Sequence, residues 1–314
     1  MSRVIGVVGG GGFGRALASA CTHNGHEVRL WTRKPKVDVS NVVATQSFEP
    51  VAEADLIFIA VPSTHIGEVG RALGAHLDGR HRLVHVSRGL AGPGLTTLSK
   101  LLREVTPARR VGALAGPLVA EELARRADHS AIVGTRFPEI VEAVRAAIGG
   151  SHLYVEGTSD IVGVEIASAV VGVISVALGV ASGLGIGPGG QAYLASLGMR
   201  EGARLVESAG GRARTLFGLA GFADLVAVVA GDERPEWRFG RELAVGKPKA
   251  HAAELAEAHL ESISMARRLH DHAQQRAIAA PVCEAMAAVF EGTRRPDEAI
   301  RDLLASDPAG SKGA

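Results

Sequence analysis

The sequence is poor in cysteine and in aromatic residues. Only two of its 314 residues are cysteines, and aromatic side chains make up 4% of the chain. Cys21 and Cys283 lie far apart, and neither has a second cysteine or a spaced histidine pair nearby, so we expect no disulfide framework and no metal site. Sparse cysteine of this kind is typical of a reducing compartment, and we predict a cytoplasmic protein.

The sequence also lacks an excess of charge of either sign. Its formal net charge is +1 at pH 7, with 34 Lys and Arg against 33 Asp and Glu. A protein that binds nucleic acid or an anionic membrane carries a basic surface, so neither partner is expected. The first ten residues contain too short an apolar run for a signal peptide and lead directly into glycines.

One long segment, residues 166–199, contains no charged side chain. Its length alone would be enough to span a bilayer. It contains many glycines and Pro188, however, and it lacks flanking basic clusters. These features favour a buried central helix followed by a glycine-rich turn, and we expect no membrane insertion.

Patterns of strand and helix alternate in the first half of the chain. Apolar runs predict strands at residues 3–8, 27–31, 54–61, 82–87, 111–115 and 130–134, and helical patterns cover residues 14–24, 66–77 and 95–104. This order predicts an α/β Rossmann domain with a doubly wound parallel sheet.

The pattern changes class near Tyr154, because strand signals cease there. Helical patterns alone follow, at residues 160–181, 193–209, 221–229, 250–278, 281–290 and 296–305. We therefore predict a dinucleotide-binding Rossmann domain over residues 1–155 and an all-α C-terminal domain over residues 156–314, which would supply the substrate site or a dimer contact. A homo-oligomer is compatible with the sequence, which does not fix the oligomeric state.

A glycine-rich loop follows the first predicted strand. Gly9, Gly11 and Gly14 have the Gly-x-Gly-x-x-Gly spacing, in which the three glycines permit the tight turn, the approach of the pyrophosphate and the packing of helix on sheet. The helix that begins near Gly12 offers free N–H groups to phosphate. Because the motif lies between a strand and a helix, it predicts a dinucleotide site that includes Gly9, Gly11, Gly12, Phe13 and Gly14.

The end of the second predicted strand indicates which dinucleotide is bound. NAD-specific sites place Asp or Glu here to hold the ribose 2′-hydroxyl, whereas this chain has Arg33 and Lys34. Arginine suits a 2′-phosphate, so the sequence favours NADP over NAD, with an exposed loop charge as the alternative for Arg33. Pro62 follows the third predicted strand and would line the nicotinamide side, unless it is an ordinary turn proline.

Over nearly its whole length the chain resembles the NAD(P)-dependent glycerol-3-phosphate dehydrogenases. The motifs that carry the resemblance are the glycine loop, Leu30-Trp31-Thr32-Arg33, Ala60-Val61-Pro62-Ser63, Ser87-Arg88-Gly89-Leu90, Ala115-Gly116-Pro117 with Ala120 and Glu122, Gly163-Val164-Glu165, Phe217-Gly218-Leu219-Ala220-Gly221-Phe222-Ala223-Asp224-Leu225, and Phe239-Gly240. The resemblance adds Arg88 and Ala120 to the expected cofactor contacts.

The resemblance also implies reversible reduction of dihydroxyacetone phosphate, with a lysine of the helical domain as the acid–base group. Val171 occupies the position of that lysine, and Gly172 occupies that of the adjacent asparagine. Arg88 stands where the family has a second lysine. Valine cannot donate a proton, and arginine stays protonated and is a poor donor.

Other positions of the family's substrate site also differ. Its phosphate-binding Ser-Arg-Asn is Arg234-Pro235-Glu236 here, and Leu118 and Pro188-Gly189 replace further polar contacts. Asp224 and Gly116 are retained. The remaining candidate catalytic residues are therefore Asp224 and Arg88, with His65 as a conceivable proton donor near the cofactor.

Two functions from different classes fit this combination of a complete glycine loop with an altered substrate site. One is an NADP-dependent oxidoreductase that uses a small-molecule substrate other than glycerol 3-phosphate or a rearranged site. The other is a sensor or accessory protein that binds the dinucleotide without turning it over. An ordinary glycerol-3-phosphate dehydrogenase is a weaker third alternative.

Overall fold

The computed structural model describes residues 3–33, 39–92, 94–150, 152–231, 234–256 and 261–305. Lys34 and the last nine residues of the predicted C-terminal domain, 306–314, lie outside these ranges. Eight strands form one sheet in the order β3-β2-β1-β4-β5-β6-β7-β8. The strands are β1 Val4–Val8, β2 Glu27–Trp31, β3 Val42–Thr45, β4 Leu56–Ile59, β5 Arg82–His85, β6 Arg110–Ala115, β7 His129–Thr135 and β8 Leu153–Thr158.

Helices cover both faces of this sheet, so the predicted doubly wound Rossmann class is confirmed. They are α1 Gly12–His23, α2 Ile66–Gly74, α3 Leu98–Val105, α4 Ala120–Arg125 and α5 Pro138–Ile148. The strand order reverses between β1 and β4, where a crevice opens at the carboxyl ends of the strands. The strands beside this crevice, β1 and β4, are almost wholly buried apolar runs, as expected when helices cover both faces.

One pair of neighbouring strands corrects the prediction of an all-parallel sheet. β7 runs antiparallel to β6, whereas every other neighbouring pair in the sheet is parallel. The chain turns at Gly116, whose φ is +116°, and then forms only the six-residue helix α4. A helix of that length rises about 9 Å, which is too short to carry the chain back along β6. The chain therefore re-enters the sheet at the edge where β6 ends, and β7 runs in the opposite direction to β6.

A helical region follows β8, which ends at Thr158, three residues beyond the predicted domain boundary. Its helices are α6 Ile161–Gly183, α7 Pro188–Ser208, α8 Ala213–Leu216, α9 Asp224–Ala230, α10 Pro235–Ala244, α11 Lys249–Leu255, α12 Glu261–Gln275, α13 Pro281–Glu291 and α14 Pro296–Ala305. The helix predicted over residues 250–278 is thus two helices, α11 and α12. The division into domains at residue 155 stays a prediction.

The centre of the helical region is α6, which is buried along most of its length. Asp160 caps its first turn by accepting a hydrogen bond from the Gly163 N–H at 3.0 Å, and it also accepts from the Thr215 hydroxyl at 2.6 Å. The most apolar window of α6 would suit a membrane by composition, but 94% of it is buried inside the protein, as in a core helix. The segment Ala213–Ala230 passes the same test with 39% buried.

Candidate active site

The glycine loop has the geometry of a pyrophosphate-binding turn. Gly9 has a φ of +123°, and a Cβ at Gly14 would collide with the Gly9 carbonyl oxygen, so both positions need glycine. At Gly11 and Gly12, in contrast, no atom lies within 4 Å of a built Cβ. This open space fits a bound pyrophosphate in close contact with the backbone.

The first turn of α1 is suited to an anion. Its N-cap residue, Gly11, provides no side-chain cap, and the first turn contains no acidic residue. The free N–H groups and the positive end of the helix dipole are therefore available to phosphate oxygens.

A cavity of about 960 Å³ joins this loop to the helical region. Of the residues predicted to bind cofactor, it is lined by Gly9, Gly11, Gly12, Phe13, Arg33, Pro62, Arg88 and Ala120. Gly14 does not line the cavity because it packs behind the loop, against the Gly9 carbonyl group. Arg15 also lines the cavity, and the spacing of glycines gave no reason to single it out.

The end of β2 forms one wall of the cavity. Trp31, Thr32 and Arg33 line it, and the Arg33 carbonyl accepts a hydrogen bond from the Gln46 side-chain amide at 3.1 Å. Arg33 is exposed.

At the opposite end of the cavity, two arginines share one buried carboxylate. The Arg88 guanidinium donates to both oxygens of Asp224, with Nη1–Oδ2 at 2.6 Å and Nη2–Oδ1 at 3.2 Å. Arg234 Nη2 donates to the same Oδ1 at 2.8 Å. Asp224 has no exposed surface, and it does not line the cavity itself. It acts on the cavity through Arg88 and Arg234, which do line it.

The surroundings of the two guanidinium groups differ. Burial lowers the pKa of Arg88, but the carboxylates of Asp224, Glu236 and Glu261 raise it overall. For Arg234, burial and then the charge of Arg88 lower the pKa, and the carboxylates of Asp224 and Glu236 only partly offset this. Arg88 is therefore the better-compensated cation of the pair.

The face of α6 toward the cavity is formed by Ser168, Ala169 and Gly172. Val171 lies beside them in the same turn, but it is fully buried and does not line the cavity. This wall therefore carries one hydroxyl group and no titratable side chain.

Glu261 is a site residue that the sequence patterns did not reveal. It opens α12 and lines the cavity, and its Oε1 accepts a hydrogen bond from the backbone N–H of Ser63, directly after Pro62. No local motif marks it, because its contact joins positions that are 198 residues apart.

Two histidines lie outside the cavity wall, and His65 is the one that the sequence suggested as a proton donor. His65 is exposed and does not line the cavity. His85 is buried and forms a 3.0 Å hydrogen bond with Glu165, which also accepts from the Ser99 hydroxyl at 2.5 Å. Glu165 therefore links α6 to β5 and α3.

The chain combines a Rossmann sheet, an open glycine loop and a helical region that lies across the cavity from that loop. This combination defines a nicotinamide-dinucleotide-dependent oxidoreductase. Comparison with known proteins specifies the family. The N-terminal profile of NAD-dependent glycerol-3-phosphate dehydrogenase matches residues 4–46 and 37–139, and the C-terminal profile matches residues 160–301. The chain belongs to the NAD-dependent glycerol-3-phosphate dehydrogenase family.

Individual relatives agree over the full length. The chain is 31% identical to the NAD(P)+-dependent glycerol-3-phosphate dehydrogenase of Alkalilimnicola ehrlichii, over 97% of each protein. It is 28% identical to that of Azotobacter vinelandii, over 97% of this chain and 95% of the relative. The crystal structure of glycerol-3-phosphate dehydrogenase from Coxiella burnetii superposes with a TM-score of 0.89 at 26% identity, covering 97% of this chain and 99% of that one.

Proposed function

We propose that this protein binds NADP(H) in the glycine-loop cavity and has little or no activity toward dihydroxyacetone phosphate. The observation that carries the proposal is the composition of the cavity wall. Among the described residues, the titratable side chains that line it belong to arginine and glutamate, with no lysine, histidine, tyrosine or cysteine. Val171 stands where the family resemblance places a lysine.

The missing group matters because reduction of a ketone needs a proton as well as a hydride. When bound, the nicotinamide supplies the hydride, and the protein must protonate the developing alkoxide. Arg88 can stabilise negative charge, but carboxylates hold its pKa above the ordinary arginine value, so it is a poor proton donor. A general acid typically contributes about 10² to 10⁴ in rate.

Recognition of a substrate phosphate is weakened in the same part of the cavity. Pro235 has no backbone N–H to donate, and Glu236 brings a negative charge to the first turn of α10. Both line the cavity. We infer that a phosphate dianion is disfavoured there, which would lower kcat/KM further.

The test is oxidation of NADPH by the purified protein with dihydroxyacetone phosphate, beside an active family member. We expect kcat/KM to be lower by at least about 10³, from the combined loss of the acid and of phosphate contacts. Turnover within about tenfold of the active enzyme would refute the proposal, since a tenfold change corresponds to only 1.4 kcal/mol.

Replacing Val171 with lysine tests whether a single side chain accounts for the loss. We expect little recovery, because the position is fully buried and a lysine there would lose its proton to avoid the cost of desolvation. Gain of activity to within about tenfold of the active family member would show instead that Val171 alone is responsible.

A second candidate function is dinucleotide binding without turnover, as in a sensor. Two observations favour it: the open space at Gly11 and Gly12, and a cavity wall whose described titratable side chains are arginines and glutamates. A titration with NADPH and an oxidation assay with a panel of small ketones and aldehydes separate the two functions. Tight binding without oxidation of NADPH by any substrate supports the sensor, and turnover with any of them supports the oxidoreductase.

The preference for NADP rests on Arg33 and on the absence of an acidic residue at the end of β2. We expect Arg33→Ala to weaken NADPH binding by roughly 1.5–3 kcal/mol, the contribution of a charge-assisted hydrogen bond, while NADH binding changes little. Equal losses for the two cofactors in a fluorescence titration would contradict this preference.

A further inference from the structure

Arg234 lies immediately before α10 and is unusual among the residues of the cavity wall. It is only 6% exposed although it lines the cavity. Its Nη2 donates to Asp224, whereas its Nε–H is buried and has no hydrogen-bond partner among the residues that the structure describes. A buried donor without a partner costs free energy, and charged donors cost more than neutral ones. Such a donor at a cavity wall is therefore suited to a ligand.

The charge of Arg234 is also incompletely balanced. Asp224 is a single carboxylate that serves two guanidinium groups, and Arg88 takes both of its oxygens. Burial and repulsion from Arg88 lower the pKa of Arg234, and the carboxylates of Asp224 and Glu236 only partly offset this. Arg234 is thus left with less anionic compensation than Arg88, with which it shares Asp224.

We propose that Arg234 binds the carboxylate of a small monoanionic carbonyl compound, of the 2-oxo acid class, as a ligand of this cavity. The planar guanidinium edge matches a carboxylate in geometry and in charge. This inference rests on the proposed function, because it names the ligand that takes the place of dihydroxyacetone phosphate.

The charges near Arg234 favour a monoanion over a phosphate ester. A phosphate monoester carries about −1.5 to −2 charges at pH 7. Glu236, in the first turn of α10, repels a dianion more strongly than a monoanion. Pro235 withholds the N–H that a helix N-terminus would normally offer to an additional phosphate oxygen.

The first experiment uses the unaltered protein saturated with NADPH. Oxamate, an unreactive planar carboxylate, glycerol 3-phosphate and neutral dihydroxyacetone are titrated at pH 7.5, with the fluorescence of bound NADPH as the readout. We expect oxamate to bind at least about tenfold more tightly than either of the others. Equal or tighter binding of glycerol 3-phosphate, or no saturable effect of oxamate at about 10 mM, would overturn the inference.

Variants then test whether Arg234 is the group responsible. Arg234→Gln is expected to weaken oxamate binding by about tenfold or more, the effect of losing a charged hydrogen bond. Arg234→Lys keeps the charge without the planar edge and should lose less. Arg136 is exposed and lies outside the cavity wall, so Arg136→Gln is the matched control, with an unchanged Kd. An unchanged Kd for oxamate in Arg234→Gln would also overturn the inference.

The inference and the proposed function can fail separately. Turnover of dihydroxyacetone phosphate near that of an active family member would refute the proposed function. Poor activity on that substrate, together with failure of oxamate to bind, would refute the carboxylate site alone. The titrations on the unaltered protein remain decisive if Arg234→Gln does not fold.

Discussion

Replacing Asp224 with asparagine gives the sharpest test of the charge cluster, because it changes one oxygen of a fully buried side chain into an amide. The carboxylate accepts hydrogen bonds from Arg88 and Arg234. Asparagine keeps the volume and one acceptor but removes the charge. Two cations would then face each other without the anion that holds them together.

The size of the effect follows from the burial of the three side chains. The Asp224 and Arg234 side chains are 1% and 7% exposed, so solvent screens their interaction little. The Arg88 side chain is 24% exposed and can turn partly toward water. Breaking a buried ion pair by removal of one partner costs about 3–5 kcal/mol. Asparagine still accepts a hydrogen bond, and Arg88 can turn toward solvent. We therefore expect the free energy of unfolding to fall by about 3 kcal/mol.

The measurement is the free energy of unfolding in urea at pH 7 for Asp224→Asn and for the unaltered protein. Glu27→Gln is the control, because its ion pair with Arg29 lies at the surface and should contribute less than about 1 kcal/mol. The midpoint should fall for Asp224→Asn at an unchanged m-value. A loss no larger than that of the control would show that the cluster does not stabilise the fold as we have argued.

Two further predictions concern other parts of the fold. Burial raises the pKa of Glu201 from 4.5 to about 7. Between these two pH values the native state keeps a proton that the unfolded state has lost. The free energy of unfolding should therefore fall as the pH rises between them. Relative to Glu201→Gln, the unaltered protein should lose about 2.5 kcal/mol of unfolding free energy between pH 5 and pH 8, and a pH-independent difference would contradict this. In the glycine loop, Gly14→Ala should lower the melting temperature, because its Cβ meets the carbonyl oxygen of Gly9. Gly11→Ala should leave the melting temperature unchanged and weaken NADPH binding, since its Cβ enters open space, and equal melting temperatures for the two variants would refute the packing argument.

Elements buried on both faces of the sheet were predictable from the sequence. β1 and β4 lie within the strands predicted at residues 3–8 and 54–61, and α6 begins and ends within two residues of the helix predicted at residues 160–181. These elements give strong signals because burial requires continuous apolar side chains.

Elements at the edges of the sheet were not predictable in the same way. β3 and β8 are its two edge strands, and exposed positions interrupt their apolar patterns; Val43 is 53% exposed and Tyr154 is 66% exposed. The antiparallel direction of β7 was also missed, since strand direction depends on the path of the connection rather than on the residues of the strand.

The candidate site also has one part that the sequence predicts and one part that it does not. Its cofactor end is a local motif, in which Gly9 to Gly14 determine their own turn and the start of α1. Its other end is assembled from distant positions, because Arg88 and Asp224 are 136 residues apart. Family resemblance singled out both residues, but only the fold reveals that they pair with each other and that Arg234 joins them.

This pairing joins the sheet to the helical region. Arg88 follows β5 in the sheet, whereas Asp224 opens α9 in the helical region, so their ion pair crosses from one to the other. A ligand anion at Arg234 would compete with Asp224 for the hydrogen bonds that Arg234 donates. The Asp224 carboxylate would then interact more with Arg88. Arg88 also lines the cavity that contains the glycine loop, so the charge of the bound ligand would alter the cavity wall near the cofactor. Binding of a carboxylate and binding of NADPH should therefore be thermodynamically coupled, each changing the affinity for the other by the same factor.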